Sequence, residues 1–260
     1  MTPQQHLRFA TDPVAFATEL LGFHPDPIQA TVLTSDATRG IICCSRQWGK
    51  STTTALKAAH LAYFRPNTDV LVAGPTGRQS GELVRKATFF LSRLGIRDRG
   101  DGLNSISQLL PNGSRIIGLP GKNEGNICGY SAPALILIDE ARHVKDALYY
   151  SLLPMLATCN GSLWMISTPG GKQGFFYEEW VNQNNGFTRI KVTARECPRI
   201  PSAFLDAEYR RVPSRSFEQE YMCVFHGVED ALFSEEDLAA ALDPSVEPFN
   251  IGPYKEAWFR

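Results

Sequence analysis

Eight residues, Cys44-Ser45-Arg46-Gln47-Trp48-Gly49-Lys50-Ser51, have the types and spacing to hold a polyphosphate. Phosphate-binding loops read G-x-x-x-x-G-K-[ST] between a strand and a helix. Gly49, Lys50 and Ser51 match that pattern, and Cys44 stands where the first glycine is usual. Each matching type has a task. Gly49 lets the backbone approach an anion closely. N–H groups of the loop and of the following helix start point at phosphate oxygens. The Lys50 ammonium neutralises β and γ phosphates, and the Ser51 hydroxyl suits Mg2+. Ser45, Arg46, Gln47, Trp48, Gly49, Lys50, Ser51 and Thr52 are therefore the expected nucleotide-binding run. A second constellation is LILIDE at 135–140, apolar residues followed by two carboxylates. This is the Walker B pattern with a second acid. Asp139 would hold the Mg2+ shell and Glu140 would polarise an attacking water. The competing reading is an ordinary strand end, with Asp139 capping the next helix. Ser167-Thr168-Pro169 closes another apolar run, where a hydroxyl could sense the γ-phosphate.

These residues need a sheet edge to converge on. The runs GIICCS (40–45), DVLVA (69–73), ALILI (134–138) and SLWMIS (162–167) read as buried parallel strands. A strand is also expected at 187–193. Helical patterns lie between them, at 51–63, 78–94, 146–157 and 174–183. Alternation of this kind implies βαβ units and a largely parallel sheet, with ligands at its carboxyl edge. Ser107–Leu110 and Arg115–Leu119, joined by Pro111-Asn112-Gly113, read as an antiparallel ribbon. Residues 1–37 form a helical lead-in with a partial stripe of Phe16, Leu20, Leu21 and Phe23, then a short helix from Ile28 to Thr34. The core is expected over 38–198. Helical segments at 202–223 and 230–242 make a small lid subdomain over 199–242, and the Pro- and Gly-rich 243–260 reads as a linker.

Bulk properties narrow the class. The 260 residues are 43% hydrophobic and 20% charged, with net charge −1, ordinary for a globular protein. Any grip on nucleic acid must come from a local patch. Candidates are Arg78, Arg85, Lys86, Arg93 and Arg97; Arg189, Lys191, Arg195 and Arg199; and Arg210, Arg211 and Arg215. Solvated faces are the competing reading for each. The six cysteines form no C-x-x-C pair and the five histidines are scattered, so no zinc site is expected and reduced thiols in a cytosolic compartment fit. The N-terminus has no secretory apolar region, and no run approaches the ~20 apolar residues of a membrane span.

Phosphate-loop, Walker B and Ser-Thr-Pro elements in this order also describe helicases, but the details resemble one family. SRQWGKST resembles the deviant Walker A of phage large terminases, in which Ser-Arg-Gln replaces a glycine-rich opening. LVAGPTGRQSGELVRKA, CGYSAPALILIDEA, SLWMISTPGGKQGFFYEEW, RSFEQEYMCVF and the ALF that follows resemble its later segments, so the likeness runs from about Pro25 to Phe233. The resemblance implies an α/β phosphate-loop NTPase of additional-strand (ASCE) type with a mainly parallel sheet, flanking helices and a C-terminal helical lid. It implies ATP and Mg2+ as ligands. It also implies a motor driving double-stranded DNA into a prohead in the host cytoplasm. The implied partners are a portal protein, a small terminase subunit and further copies in a ring on the portal, with no membrane. By position, Lys50, Arg46 and Glu140 are the catalytic set, Ser51 and Asp139 the metal ligands, and Ser167 and Thr168 the coupling residues. Arg46 resembles the loop arginine that contacts the γ-phosphate. Gln29 resembles the adenine-recognising glutamine, a surface glutamine being the alternative.

One departure stands out. Many members carry Arg-Gly before the Walker B strand, suited to an arginine finger for a neighbouring subunit, where this chain has Cys128-Gly129. Arg115, Arg142 and Arg46 are the candidate substitutes. The family's C-terminal nuclease domain, of two-metal type, is expected to lie outside these residues. Two rival readings remain: a helicase-like DNA-dependent ATPase, and a nucleotide-binding assembly module with little turnover, motivated by Cys44 and Cys128.

Overall fold

The computed structural model describes residues 1–119, 130, 132–227 and 241. The expected helix at 230–242 (Ala241 apart), the linker at 243–260 and Cys128-Gly129 lie outside the described residues. The chain divides into two units, Met1–His226 and Gly227–Arg260.

Seven strands form one sheet among the described residues: β1 (Arg39–Cys44), β2 (Asp69–Ala73), β3 (Ser107–Leu109), β4 (Arg115–Gly118), β5 (Leu135–Asp139), β6 (Ser162–Ser167) and β7 (Thr188–Val192). Their spatial order is β3-β4-β2-β5-β6-β1-β7. Every pairing is parallel except β3 with β4, which run antiparallel as the ribbon pattern predicts. Strand β6 lies between β1 and β5, the additional-strand arrangement. The registers Cys43↔Ser167 and Asp139↔Ile166 bring the ends of the three strands to one edge.

Both faces of the sheet are covered, which is why its central strands are apolar throughout. Side chains alternate between faces. Ile42, Cys44, Val70, Val72, Leu135, Leu137 and Trp164 join one core cluster with α4 (Lys50–Phe64) and α5 (Gly77–Ser92). Ile41, Cys43, Leu71, Ile136, Ile138 and Met165 join the other, under α6 (Asp146–Leu152) and α7 (Gly174–Val181). Small residues let α4 lie close to the sheet: Ala55, Ala58, Ala59 and Ala62 are all buried.

The lead-in is more segmented than one stripe suggests. Helix α1 (Pro3–Thr11) ends at Asp12, whose side chain accepts from Val14 and Ala15 N–H and starts α2 (Pro13–Ala15), continued by a π-turn over Phe16–Leu20. Asp26 then caps α3 (Pro27–Thr34). The 202–223 helical stretch is two helices, α8 (Ser202–Arg211) and α9 (Ser214–Met222). Pro213 breaks it, because proline has no N–H to donate and pushes Val212 out of helical geometry to ψ 142°. No helix among the described residues is long and apolar enough to cross a membrane.

Candidate functional site

The loop after β1 turns twice through the left-handed region, at Gln47 (φ 64°) and Gly49 (φ 92°). Gly49 is the N-cap of α4 and caps it without a side chain, so Lys50 and Ser51 open the helix with N–H groups that have no helical partner, while the Thr52 N–H donates to the Gly49 carbonyl at 3.1 Å. A Cβ on Gly49 would lie 3.0 Å from Gln29 Nε2, so both sterics and φ call for glycine. The Cys44 departure costs the cleft no space, because that residue ends β1 and packs in the core.

Across the edge, Asp139 ends β5 and Glu140 follows in left-handed conformation (φ 52°). That turn sends the two neighbouring carboxylates different ways. Ser51 Oγ donates to Asp139 Oδ2 at 2.9 Å, and the Glu140 N–H donates to Asp139 Oδ1 at 3.0 Å. Lys50 Nζ lies 2.7 Å from Glu140 Oε1. Burial pushes the Asp139 carboxyl up despite nearby Lys50. For Lys50, burial works against the ammonium, yet Glu140 beside it leaves the group raised and charged.

Lys50, Ser51 and Glu140 line a cleft of about 520 Å³ with Arg46, Gln47, Gly49, Thr52, Gln79, Lys86, Arg142, His143 and Thr168. Two lysines and two arginines against one glutamate, over backbone N–H groups, suit a polyanion. Ser167 Oγ accepts from the Arg142 N–H at 3.2 Å, and both Ser167 and Thr168 are buried at the β6 tip. The carboxyl edge thus gathers Lys50, Ser51, Asp139, Glu140 and Thr168 in one place.

Three expected residues sit differently. Trp48 and Ser45 are fully buried, the Ser45 N–H donates to the Val192 carbonyl at 2.8 Å, and neither residue lines the cleft. Gln29 is buried as well and does not line the cleft. Its Nε2 donates to the Trp48 carbonyl at 3.0 Å, while its Oε1 accepts from the Asp26 N–H at 3.1 Å. Arg199 donates to the same Trp48 carbonyl and pairs with Asp26. Gln29 therefore braces the phosphate loop from behind.

The cations divide in the same way. Arg115 is bound bidentately to Asp69, at 2.9 and 2.6 Å, at the amino end of β2 and β4 and away from its own cleft. Arg189 spends its donors on the carbonyls of Glu179, Trp180, Asn182 and Phe187, closing the end of α7. Arg78, Arg85, Lys86, Arg93 and Arg97 are all exposed. Residues that motif reading did not assign to the site are Gln79, Lys86 and His143, which line the cleft, and Glu220, which pairs with Arg46 from outside it. The turn Gly74–Gly77 after β2 marks the same sheet edge and could have pointed to Gln79. Glu220 lies within RSFEQEYMCVF, but nothing in that segment marks it as a partner of the phosphate loop.

A family model described as "Terminase large subunit, T4likevirus-type, N-terminal" matches residues 41–240. The curated large terminase subunit of Thermus phage G20c is 23% identical over 258 residues, covering 86% of this chain. The chain spans about half, 53%, of that relative's length. Among solved structures, the large terminase ATPase domain of Thermus phage P74-26 superposes with TM-score 0.70 at 21% identity, covering 82% of this chain and 99% of that one. The large terminase of a thermophilic bacteriophage in complex with ADP gives TM-score 0.64 at 16% identity, covering 78% and 54%. Likeness at this identity speaks for the fold.

Proposed function

The chain belongs to the T4likevirus-type terminase large-subunit family, in its N-terminal part, and from that premise we infer that it is an ATP-hydrolysing motor domain for packaging double-stranded DNA. The observation that carries the reading is the convergence of Lys50, Ser51, Asp139 and Glu140 at one sheet edge, with Ser51 Oγ on Asp139 at 2.9 Å and Lys50 on Glu140 at 2.7 Å.

The residues fit Mg2+. A hydroxyl and a carboxylate already in contact are hard oxygen donors of the kind it takes alongside phosphate oxygens. Ser51 and Asp139 would hold it, and bound there it would offset the charge of the β and γ phosphates. The protein's own groups do the rest. N–H groups of residues 49–52 cradle the phosphates. Lys50 exchanges Glu140 for phosphate oxygens, which frees the Glu140 carboxylate to accept a proton from, and orient, the attacking water. Thr168, at the tip of the strand between β1 and β5, meets the terminal phosphate and carries its presence into the β6–α7 loop. The thermophilic-phage complex holds ADP, and the shared fold supports nucleotide at the equivalent cleft of this chain.

Double-stranded DNA, the portal, the small subunit and a ring of further copies are the partners this reading carries, in the host cytoplasm during virion assembly. The exposed α5 cations are its candidate DNA contacts, through salt-sensitive phosphate binding. Phosphate release from ATP tests the site: Lys50→Ala should lose both nucleotide binding and turnover, and normal turnover in that variant would remove Lys50 from the site.

A further inference from the structure

Arg142 follows the acidic pair on the short turn Ala141–His143 and lines the cleft. Its side chain is 12% exposed, and the residue is fastened to the tip of β6 twice. The backbone N–H donates to Ser167 Oγ at 3.2 Å, and NH1 donates to the Pro169 carbonyl. Those two contacts bracket Thr168. Gly170 leaves room for the arginine, since a Cβ there would lie 3.3 Å from Arg142 Cδ. Nε donates to His143 Nε2 at 2.8 Å, which requires a neutral imidazole with its proton on Nδ1. Burial and then the Arg142 charge push His143 below its usual value, so it is neutral at neutral pH. NH1 and NH2 also reach Glu220 Oε1 on α9, at 3.3 and 3.4 Å. A guanidinium has five N–H donors. Among the described residues these contacts occupy one on Nε, two on NH1 and one on NH2, which leaves an NH2 hydrogen for a ligand.

The cleft's other cations are placed differently. Lys50 is paired with Glu140, the Arg46 side chain is 63% exposed, and Lys86 stands exposed on α5. A cation stabilises a transition state best when its position is fixed beforehand, so that nothing reorganises during the reaction. Phosphoryl transfer spreads charge over the γ oxygens, and an arginine from the same chain or from a neighbour can meet it. Building on the ATPase reading above, we propose that Arg142 is a catalytic residue acting within its own subunit. From beside Thr168 it donates to the terminal phosphate as charge builds there. The water oxygen bonds the γ phosphorus, the bond to the ADP oxygen breaks with its electron pair going to ADP, and the water proton passes to Glu140. Arg142 donates hydrogen bonds throughout and transfers nothing. Because Glu140 and Arg142 share one short segment, a single subunit carries both the base and the cation.

The test uses the whole chain with Mg2+. It reads turnover, binding of ATPγS, and binding of ADP with fluoroaluminate, which mimics the phosphoryl group in transfer. Arg142→Ala should lower turnover about 10²–10³-fold and weaken the fluoroaluminate complex by a similar factor. ATPγS binding should stay within about threefold, because the contact belongs to the transition state. Arg142→Lys keeps the charge and loses the fork. It should show the same selective loss, and it carries the test if the alanine variant does not fold. Mixing Arg142→Ala with Glu140→Gln chains pairs an intact Arg142 with an intact Glu140 only across subunits, so turnover should stay at the level of the separate variants. Turnover within a few fold of wild type in a variant would overturn the proposal. So would equal weakening of both complexes by a variant that melts cooperatively, or turnover regained on mixing. A wild-type chain that binds no nucleotide and releases no phosphate would overturn the underlying ATPase reading, a result distinct from those three.

Discussion

Gln29→Ala separates two roles that the sequence leaves open. If the amide reads adenine, the loss is selective for ATP over GTP and folding is untouched. The structure points to the brace instead. Gln29 is 2% exposed and makes two buried hydrogen bonds, to the Trp48 carbonyl and from the Asp26 N–H. The Trp48 carbonyl keeps Arg199 as a donor after truncation, but the Asp26 N–H loses its acceptor. Each net bond is worth about 1 kcal/mol, more when a buried partner is left unpaired. Asp26 still caps the Gln29 backbone N–H at 2.8 Å, so α3 itself survives. The expected destabilisation is about 2–3 kcal/mol, seen as roughly 4–12 °C in melting temperature for a domain of this size. Because the loop backbone loosens, ATP and GTP should weaken together. Melting curves and fluorescence titrations with both nucleotides measure this. An unchanged melting temperature with a loss confined to ATP would refute the brace.

Two further outcomes follow from the same geometry. Ser51→Ala removes the hydroxyl that meets Asp139, and the Mg2+ concentration for half-maximal ATP turnover should rise about tenfold or more, read from a magnesium titration at fixed ATP. Arg189→Ala strips donors from four carbonyls between the end of α7 and the start of β7. It should cost about 2 kcal/mol in denaturant unfolding while leaving the salt dependence of DNA binding as in the wild type, and a shallower salt slope would make Arg189 a phosphate contact.

How much of this is legible in the sequence depends on the range of the interaction. Parallel strands buried on both faces leave unbroken apolar runs, so β2 and β6 read at their observed bounds. Lys50 and Ser51 are legible because they open a helix after a turn, and Asp139 and Glu140 because they sit where a strand meets a turn, positions that local pattern marks. The break at Pro213 is visible as a residue type, but the helical pattern runs straight through it. The α1–α2 break depends on Asp12 capping a new helix, which a hydrophobic stripe does not register. Resemblance offers Gln29 as an adenine reader, but its burial is not readable, since that depends on the Trp48 carbonyl accepting from it 19 residues later. Glu220 lies 174 residues from Arg46, and nothing local to either announces the pair.

The central claim is that Glu140 acts on the water that attacks ATP bound by Lys50 and Ser51. Steady-state phosphate release with ATP and Mg2+, wild type beside Glu140→Gln, tests it most directly, with nucleotide binding measured on the same samples. Loss of a positioned general base costs roughly 10²–10⁴-fold in rate. The account predicts a turnover loss in that range for Glu140→Gln with ATP binding retained. Turnover within a few fold of wild type would contradict it and remove Glu140 from the reaction.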